Sequence, residues 1–354
     1  MRSRLIAATL AFVVLVPALA ACGGSKKNGG TISGAGATFP QPVYDEWASR
    51  FKDQSGTTVN YQGIGSGGGV AQFTAGTVDF GASDAAMTDA ELAAARKKGE
   101  PVHVPTVFGA VTVAYNVSGL KKGLKLDGPT IADMFLGRVK KWNDPAIASL
   151  NPGVKLPSTP ITIVHRSDAS GTTKLFTSFL AAYSTAWKNG PGVDKTVKWP
   201  TGTGAKGNPG VAGAVKQTDG AVGYVEQAYA LQNNFTTADV KNKTGTFIAP
   251  SLQSTSAAGN GLKVPADLRF SAIDAPGPNA YPIASATFIL VYRDMCKAGL
   301  SESTAKHVKA WLDYALGKGQ SVASQLQYAP LPSPVLTKAK AKVSTLQCNG
   351  KALG

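Results

Sequence analysis

Two β-rich runs constrain this chain more than anything else in it. Val102 to Asn116, containing Val-Phe-Gly-Ala-Val-Thr-Val-Ala-Tyr, is longer than an ordinary strand. Pro282 to Tyr292, containing Ile-Ala-Ser-Ala-Thr-Phe-Ile-Leu-Val-Tyr, is its counterpart far along the sequence. Segments of that length can pass from one domain into another. Elsewhere, short β-branched segments alternate with helix-like ones, which implies parallel βαβ units with ligands at the carboxyl ends of strands. At 354 residues the chain is long for one hydrophobic core. The expectation is an α/β protein of two domains joined by two hinge crossovers. Domain I would hold residues 31–110 plus 285–354 and domain II residues 111–284, with a cleft able to close on a ligand.

Three junctions repeat one design of strand, small polar loop and helix start: Gly34–Phe39, Gly63–Gly69 and Arg166–Thr173. Asp84 ends a fourth strand, Val78-Asp-Phe-Gly-Ala-Ser-Asp84. The fullest version runs from Ile161 to Leu180. It opens with Ile161, Thr162, Ile163 and Val164, and closes with Leu175, Phe176, Phe179 and Leu180 at helical spacing. The first turn of such a helix has N–H groups without intrahelical partners and a partial positive charge, so it suits an anion. Ser170 fits the N-cap, Gly171 lets a ligand approach the backbone, and Arg166 can grip an oxyanion in bidentate fashion. Hydroxyls of Thr38, Ser66 and Thr172 add donors. Donors dominate and no large apolar pocket is announced, which suits a small tetrahedral oxyanion.

Other segments read more simply. Tyr44, Trp47 and Phe51 mark a helix, another begins near Val70, and Thr88 with Glu91 forms a capping box. Thr130–Leu136, Pro145–Leu150, Ala212–Val215 and Ala228–Leu231 read as helices, and Ala221–Val225 as a strand. Ser303–Leu316 is an amphipathic helix with Val308, Trp311, Leu312 and Leu316 on one side. Thr236 to Ala280 has weak periodicity and is expected to be irregular.

The N-terminus has the form of an export signal. Arg2 and Arg4 precede an apolar run from Leu5 to Ala18, too short for a comfortable membrane span. Leu19-Ala20-Ala21-Cys22-Gly23 resembles the lipobox of bacterial lipoproteins, in which the peptide is cut before a Cys that is then acylated. Residues 1–21 would be the signal peptide, Cys22 the lipidated residue, and residues 22–30 a flexible Gly/Ser-type tether. The mature protein would sit outside the cytoplasmic membrane, held by its lipid. Free thiols are uncommon there, so Cys296 and Cys348 are expected to pair, a crosslink worth about 4 kcal/mol in the chain-entropy model. His103, His165 and His307 lie far apart and no Cys-x-x-Cys occurs, so neither a metal site nor a cofactor is expected. The formal charge of +15 falls by two with the loss of Arg2 and Arg4. The lysines are scattered rather than grouped with aromatics, which points to a basic surface and not to nucleic acid.

Taken in order, these motifs resemble the binding proteins of bacterial high-affinity phosphate ABC transporters. Gly34-Ala-Gly-Ala-Thr-Phe-Pro40, Tyr61-Gln-Gly-Ile-Gly-Ser66, Val78–Asp84 and Arg166-Ser-Asp-Ala-Ser-Gly-Thr172 are similar to four motifs of that family. Lys198-Trp-Pro200, Gly223-Tyr-Val-Glu226 and Thr287-Phe-Ile-Leu290 extend the likeness over essentially the whole mature chain. The resemblance implies a periplasmic-binding-protein fold of type II-like topology, with phosphate buried between the domains. It implies ligand contacts from Thr38 and Phe39 (backbone N–H), Ser66, Asp84, Arg166, Ser170, Gly171 and Thr172, with Asp168 orienting the Arg166 guanidinium. It further implies a monomeric, non-enzymatic carrier that delivers phosphate to a membrane permease with a cytoplasmic ATPase. Gly67 stands where many relatives carry a second Ser, and Ser167 and Ala169 replace other small residues.

A carboxylate facing an anion repels it unless the ligand has a proton to donate, which phosphate does near neutral pH and sulfate does not. Asp84 is therefore expected to select phosphate over sulfate. Two enzyme readings compete. Gly63-Ile-Gly-Ser-Gly-Gly68 satisfies a dinucleotide-binding pattern with Asp84 downstream, but export and two further anion loops are then unexplained. An exported phosphatase or serine hydrolase built on Ser66 or Ser170 lacks a Gly-x-Ser-x-Gly turn and a recognisable triad order.

Overall fold

The computed structural model describes residues 29–120 and 123–354; the signal segment and Cys22 lie outside them. The first run of elements is β1 (Thr31–Gly36), α1 (Gln41–Ser55), β2 (Thr58–Gly63), α2 (Ser66–Ala75), β3 (Phe80–Ser83) and α3 (Asp89–Ala95). Then comes β4 (Pro101–Asn116), the long crossing strand. The next stretch holds β5 (Lys125–Leu126), α4 (Gly128–Phe135), α5 (Pro145–Leu150), β6 (Thr162–Arg166), α6 (Gly171–Tyr183) and α7 (Thr185–Asn189). It continues through β7 (Thr203–Ala205), α8 (Gly207–Gln217), β8 (Ala221–Glu226) and α9 (Gln227–Gln232). After the short β9 (Thr236–Thr237), β10 (Asp239–Lys241), β11 (Phe247–Ile248) and α10 (Leu252–Gly259), the chain returns along β12 (Ala284–Tyr292). It ends with α11 (Glu302–Leu316), α12 (Gly319–Gln325), α13 (Ser333–Val343), β13 (Gln347–Cys348) and β14 (Lys351–Ala352).

One mixed sheet runs in the order β2-β1-β3-β12-β4-β8-β6-β7, with β9 also beside β4. Its organisation rests on β4, which changes partner midway. Residues Pro101 to Ala110 pair with β12, and Val111 to Asn116 pair with β8. The return begins at the same level, where the Ile283 carbonyl accepts the Val111 N–H at 2.8 Å and Ala284 lies opposite Ala110. On either side the pairs β1–β2, β1–β3, β6–β7 and β6–β8 are parallel, as βαβ connections require. Their carboxyl ends, carrying Thr38, Asp84 and Arg166, therefore face a common region.

Aromatic packing holds both flanks. Tyr44, Trp47 and Phe51 of α1 pack on Trp311 of α11 with ring centroids 5.6–6.3 Å apart, and the Trp47 indole N–H donates to the Gly319 carbonyl at 2.9 Å. On the other flank Phe135, Phe176, Trp199 and Tyr224 form a second cluster, with Phe176 stacked on Tyr224 at 4.4 Å. Each buried ring stabilises its flank by roughly 2–3 kcal/mol, which fixes the strand ends between the clusters.

Two expectations need correction. Helix α2 begins at Ser66, four residues before Val70, and takes in Gly67 to Gly69 despite their low helix propensity. The close packing of α2 on the sheet demands them, because a Cβ on Gly69 would lie 2.4 Å from Gly36 Cα and 2.6 Å from the Ala82 carbonyl. The stretch from Thr236 to Ala280 is also not wholly irregular. It holds β9, then β10 and β11, which join the distant β5 in a small sheet, and α10, whose Ser251–Ser254 capping box lacks the usual Glu or Gln. Its strands are too short for periodicity to register. Cys296 and Cys348 form a disulfide with Cα atoms 4.7 Å apart, tying the β12–α11 connection to β13.

Candidate functional site

The sequence-predicted residues converge. Thr38 and Phe39 lie in the turn between β1 and α1, Ser66 opens α2, Asp84 follows β3, and Arg166 ends β6. Ser170 is the N-cap of α6 and Gly171 and Thr172 are its first residues. All are buried, with Asp84 1% and Arg166 3% exposed, so none is a solvated surface group.

Each local conformation has a visible cause. The Ser170 hydroxyl accepts the Thr173 N–H at 3.0 Å, leaving its own hydrogen free to point elsewhere. The Ser170 N–H is engaged by the Lys195 carbonyl at 2.9 Å, so the hydroxyl hydrogen is the donor this residue has left to offer. Position 171 must be glycine for the two walls to meet: a Cβ there would sit 2.4 Å from Ser66 Oγ and 2.8 Å from Asp84 Cβ. Phe39 buries its ring, and its carbonyl accepts the Tyr328 hydroxyl at 2.7 Å, which fixes the turn that presents Thr38.

Arg166 is held as a fork. Its Nε donates to Asp168 Oδ1 at 2.7 Å and an Nη to Asp168 Oδ2 at 2.5 Å, while the other Nη reaches Thr172 Oγ1 at 3.3 Å. Its backbone N–H donates to the Tyr224 hydroxyl at 3.1 Å. Asp168 also accepts the Gly207 N–H at 2.9 Å. Burial alone would raise the Asp168 pKa, but the hydrogen bonds and charge of Arg166 hold it below the usual carboxylate range. Asp168 is thus ionised and saturated, in position to aim the guanidinium rather than to trade protons.

Asp84 is the opposite case. Thr287 donates to its Oδ1 at 3.0 Å, and the hydroxyls of Ser66 and Thr172 lie 3.4 Å from Oδ2. Burial dominates and pushes its pKa up to about 7, although the Thr287 hydrogen bond and the Arg166 charge both oppose the shift. A carboxyl that titrates near neutrality, set in a nest of hydroxyls across from a guanidinium, can accept a proton or a hydrogen bond from an anion that still carries one.

Several contributors escaped sequence reasoning. Thr287 sits on β12 and opens the Thr287–Leu290 motif, but no local rule separates its hydroxyl from that of Ser285 two residues earlier. Asn208, at the second position of α8, bonds Thr38 through both its backbone and its side chain. Lys195 forms a 2.5 Å ion pair with Glu91, whose carboxylate also caps α3. The Gly67 N–H donates to the Ala169 carbonyl at 2.8 Å, and the Tyr229 hydroxyl to the Thr38 carbonyl at 2.6 Å. Beside the buried site opens a cavity of about 690 Å³, lined among others by Asp84, Met87, Lys174, Arg269, Phe270 and Ser285. Among the described residues, no group of three or more His, Cys, Asp or Glu side chains is placed to hold a metal ion.

Comparison with known proteins gives these features a lineage. Residues 23–318 match the family model described as the PBP superfamily domain. The chain is 44% identical over 328 residues to the phosphate-binding protein PstS of Pasteurella multocida, covering 91% of this chain and 93% of that one. It is 37% identical over 304 residues to the phosphate-binding protein PstS of Methanocaldococcus jannaschii, with 80% and 78% of the two chains covered. Among solved structures, a high-affinity periplasmic phosphate-binding protein (PfluDING) bound with phosphate superposes with a TM-score of 0.75 at 23% identity, over 91% of this chain and 97% of that one. The phosphate-binding protein of Stenotrophomonas maltophilia superposes with a TM-score of 0.67 at 20% identity, over 91% and 97%. These two likenesses establish the α/β periplasmic-binding-protein fold expected from the sequence. The extent of the sequence matches establishes more: the chain belongs to the PstS family of phosphate-binding proteins, within the PBP superfamily.

Proposed function

We propose that this chain is an extracytoplasmic solute-binding protein that captures inorganic phosphate in a closing cleft and hands it to an ABC importer. One observation carries the reading: a guanidinium locked by Asp168 reaches Thr172, whose hydroxyl lies with that of Ser66 on a buried Asp84, while Asn208 ties Thr38 to the same group and Ser170 caps the helix that carries Thr172. Together these bring the hydroxyls of Thr38, Ser66, Ser170 and Thr172 to one region. Phosphate oxygens would receive hydrogen bonds from Arg166, from those hydroxyls and from the N–H groups of Thr38, Phe39, Gly171 and Thr172, and its proton would go to Asp84. The cleft would lie between a domain of residues 31–110 plus 285–354 and one of residues 111–284. The change of partner along β4 at Ala110/Val111 supports that division. Acylated Cys22 would anchor a monomer to the membrane beside a permease and its ATPase; no helix among the described residues is long and apolar enough to cross a membrane.

Binding without catalysis is favoured over both enzyme readings. The three histidines are engaged away from Ser66 and Ser170: His103 accepts the Met87 N–H, His165 bonds the Arg166 carbonyl, and His307 pairs with Thr57. A serine nucleophile would lack its base. Over the start of α2, where a dinucleotide pyrophosphate would sit, the Asp168–Gly171 loop is already packed. Calorimetric titration of ligand-stripped protein with phosphate, sulfate and citrate tests the proposal. Tight one-to-one binding of phosphate alone is expected; comparable sulfate binding, or none of phosphate, would overturn it.

A further inference from the structure

Asn208 is fully buried, and its side chain touches three separate parts of the site. Its backbone N–H and its Nδ2 each donate to Thr38 Oγ1 at 3.0 Å, and Nδ2 lies 3.4 Å from Thr172 Oγ1. Its Oδ1 accepts the Glu226 N–H at 2.9 Å. That last bond fixes the amide, because a backbone N–H can only donate. The carbonyl oxygen must face the end of β8, and the NH₂ must face the site.

A hydroxyl oxygen has two lone pairs and one hydrogen. At Thr38 both lone pairs are taken by Asn208, so only the O–H hydrogen remains to offer. At Thr172 the Asn208 Nδ2 and an Arg166 Nη occupy the same two acceptor positions, so its hydrogen too can only be given away, to Asp84 Oδ2 at a long 3.4 Å or to a ligand oxygen in its place. We propose that Asn208 is a positioning residue for oxyanion selection, which turns Thr38 and Thr172 from ambivalent hydroxyls into obligate donors. Asp84 is then left to accept from the ligand, and the number of protons an anion carries becomes readable by the site. This inference rests on the phosphate reading above, with Asn208 acting through Thr38 and not on phosphate directly.

A double-mutant cycle on phosphate affinity tests it, using the unmodified protein, Asn208→Ala, Thr38→Val and the double variant. Each single change is expected to weaken binding about tenfold, since one well-placed hydrogen bond to an anion is at stake. The double variant should bind no more than about threefold worse than the weaker single variant, because the two residues act through one oxygen. A merely structural role would cost the same with or without the Thr38 hydroxyl, so full additivity overturns the proposal, as does unchanged affinity in Asn208→Ala. If thermal melts show that Asn208→Ala does not fold, Asn208→Ser, too short to reach both hydroxyls, carries the same cycle with the same two outcomes. Failure of the unmodified protein to bind phosphate would overturn the phosphate reading itself, and this inference with it.

Discussion

Asp84 and Asp168 are the same side chain placed just beyond two strands of one sheet, and both are largely withdrawn from water. Burial pushes both toward the neutral form, yet Asp84 rises to about 7 while Asp168 falls below the ordinary carboxylate range. The difference lies in their partners. Asp84 receives neutral hydroxyls at 3.0–3.4 Å, whereas Asp168 receives a bidentate guanidinium and a backbone N–H. Three neutral donors do not offset the desolvation of a carboxylate, and a full charge in contact does. One aspartate is thereby fixed as part of a cation's scaffold, and the other is left able to respond to a proton.

Removing the shared cation is the most severe way to break this contrast. Arg166→Met would take away the countercharge for the anion and leave Asp168 buried without its partner. We expect phosphate affinity to fall roughly a thousandfold, about 4 kcal/mol, by calorimetry. A loss below tenfold would show that the anion is balanced elsewhere. Asp84→Asn tests the other side of the comparison. The amide offers donors where the carboxylate accepted, so sulfate should gain and the phosphate-over-sulfate preference should shrink by about a hundredfold, near 3 kcal/mol. An unchanged ratio in paired titrations would remove Asp84 from selectivity.

The two aspartates also show what sequence could and could not reveal. Asp84, Arg166, Ser170 and Thr172 were legible because local rules act on contiguous residues: a strand end, an N-cap and a helix start sit side by side in the chain. The crossing strands were legible as well, since an apolar run of that length has few alternatives. Thr287 and Asn208 were not, because each reaches the site across a large sequence separation, to Asp84 and to Thr38 respectively. No periodicity records such a meeting. The start of α2 was misplaced for a different reason: glycine argues against helix locally, and the close packing of Gly69 on β1 and β3 overrides that propensity.

A gentler change sharpens the comparison on the Arg166 side. Asp168→Asn keeps the shape of the clamp but gives up its charge, and its NH₂ cannot accept from the guanidinium. Arg166 then remains present but less firmly aimed, and phosphate affinity should drop by about tenfold, near 1.4 kcal/mol, with the phosphate-over-sulfate ratio preserved. A collapse of that ratio would mean that Asp168 reads the ligand's proton too, and the division of labour would fail.

An effect no larger than this falls on stability and needs no ligand. With a folded pKa near 7 against an unfolded value near 3.8, Asp84 holds more proton in the folded protein than in the unfolded chain. Its contribution to stability is therefore complete in acid and is lost as pH rises through the folded value, the reverse of the behaviour of Asp168, whose lowered pKa stabilises the fold above the acid range. Between pH 6 and pH 8 the unfolded Asp84 is ionised throughout while the folded one goes from mostly protonated to mostly ionised. That transition should cost about 1.4 kcal/mol. Denaturant melts of ligand-free protein at the two pH values, compared with those of Asp84→Asn, isolate this term from every other titrating group. The variant should lose less stability than the parent over this interval by that amount. An equal loss in both would mean that Asp84 is already ionised at pH 6, and that its hydroxyl nest, contrary to the comparison, does offset its burial.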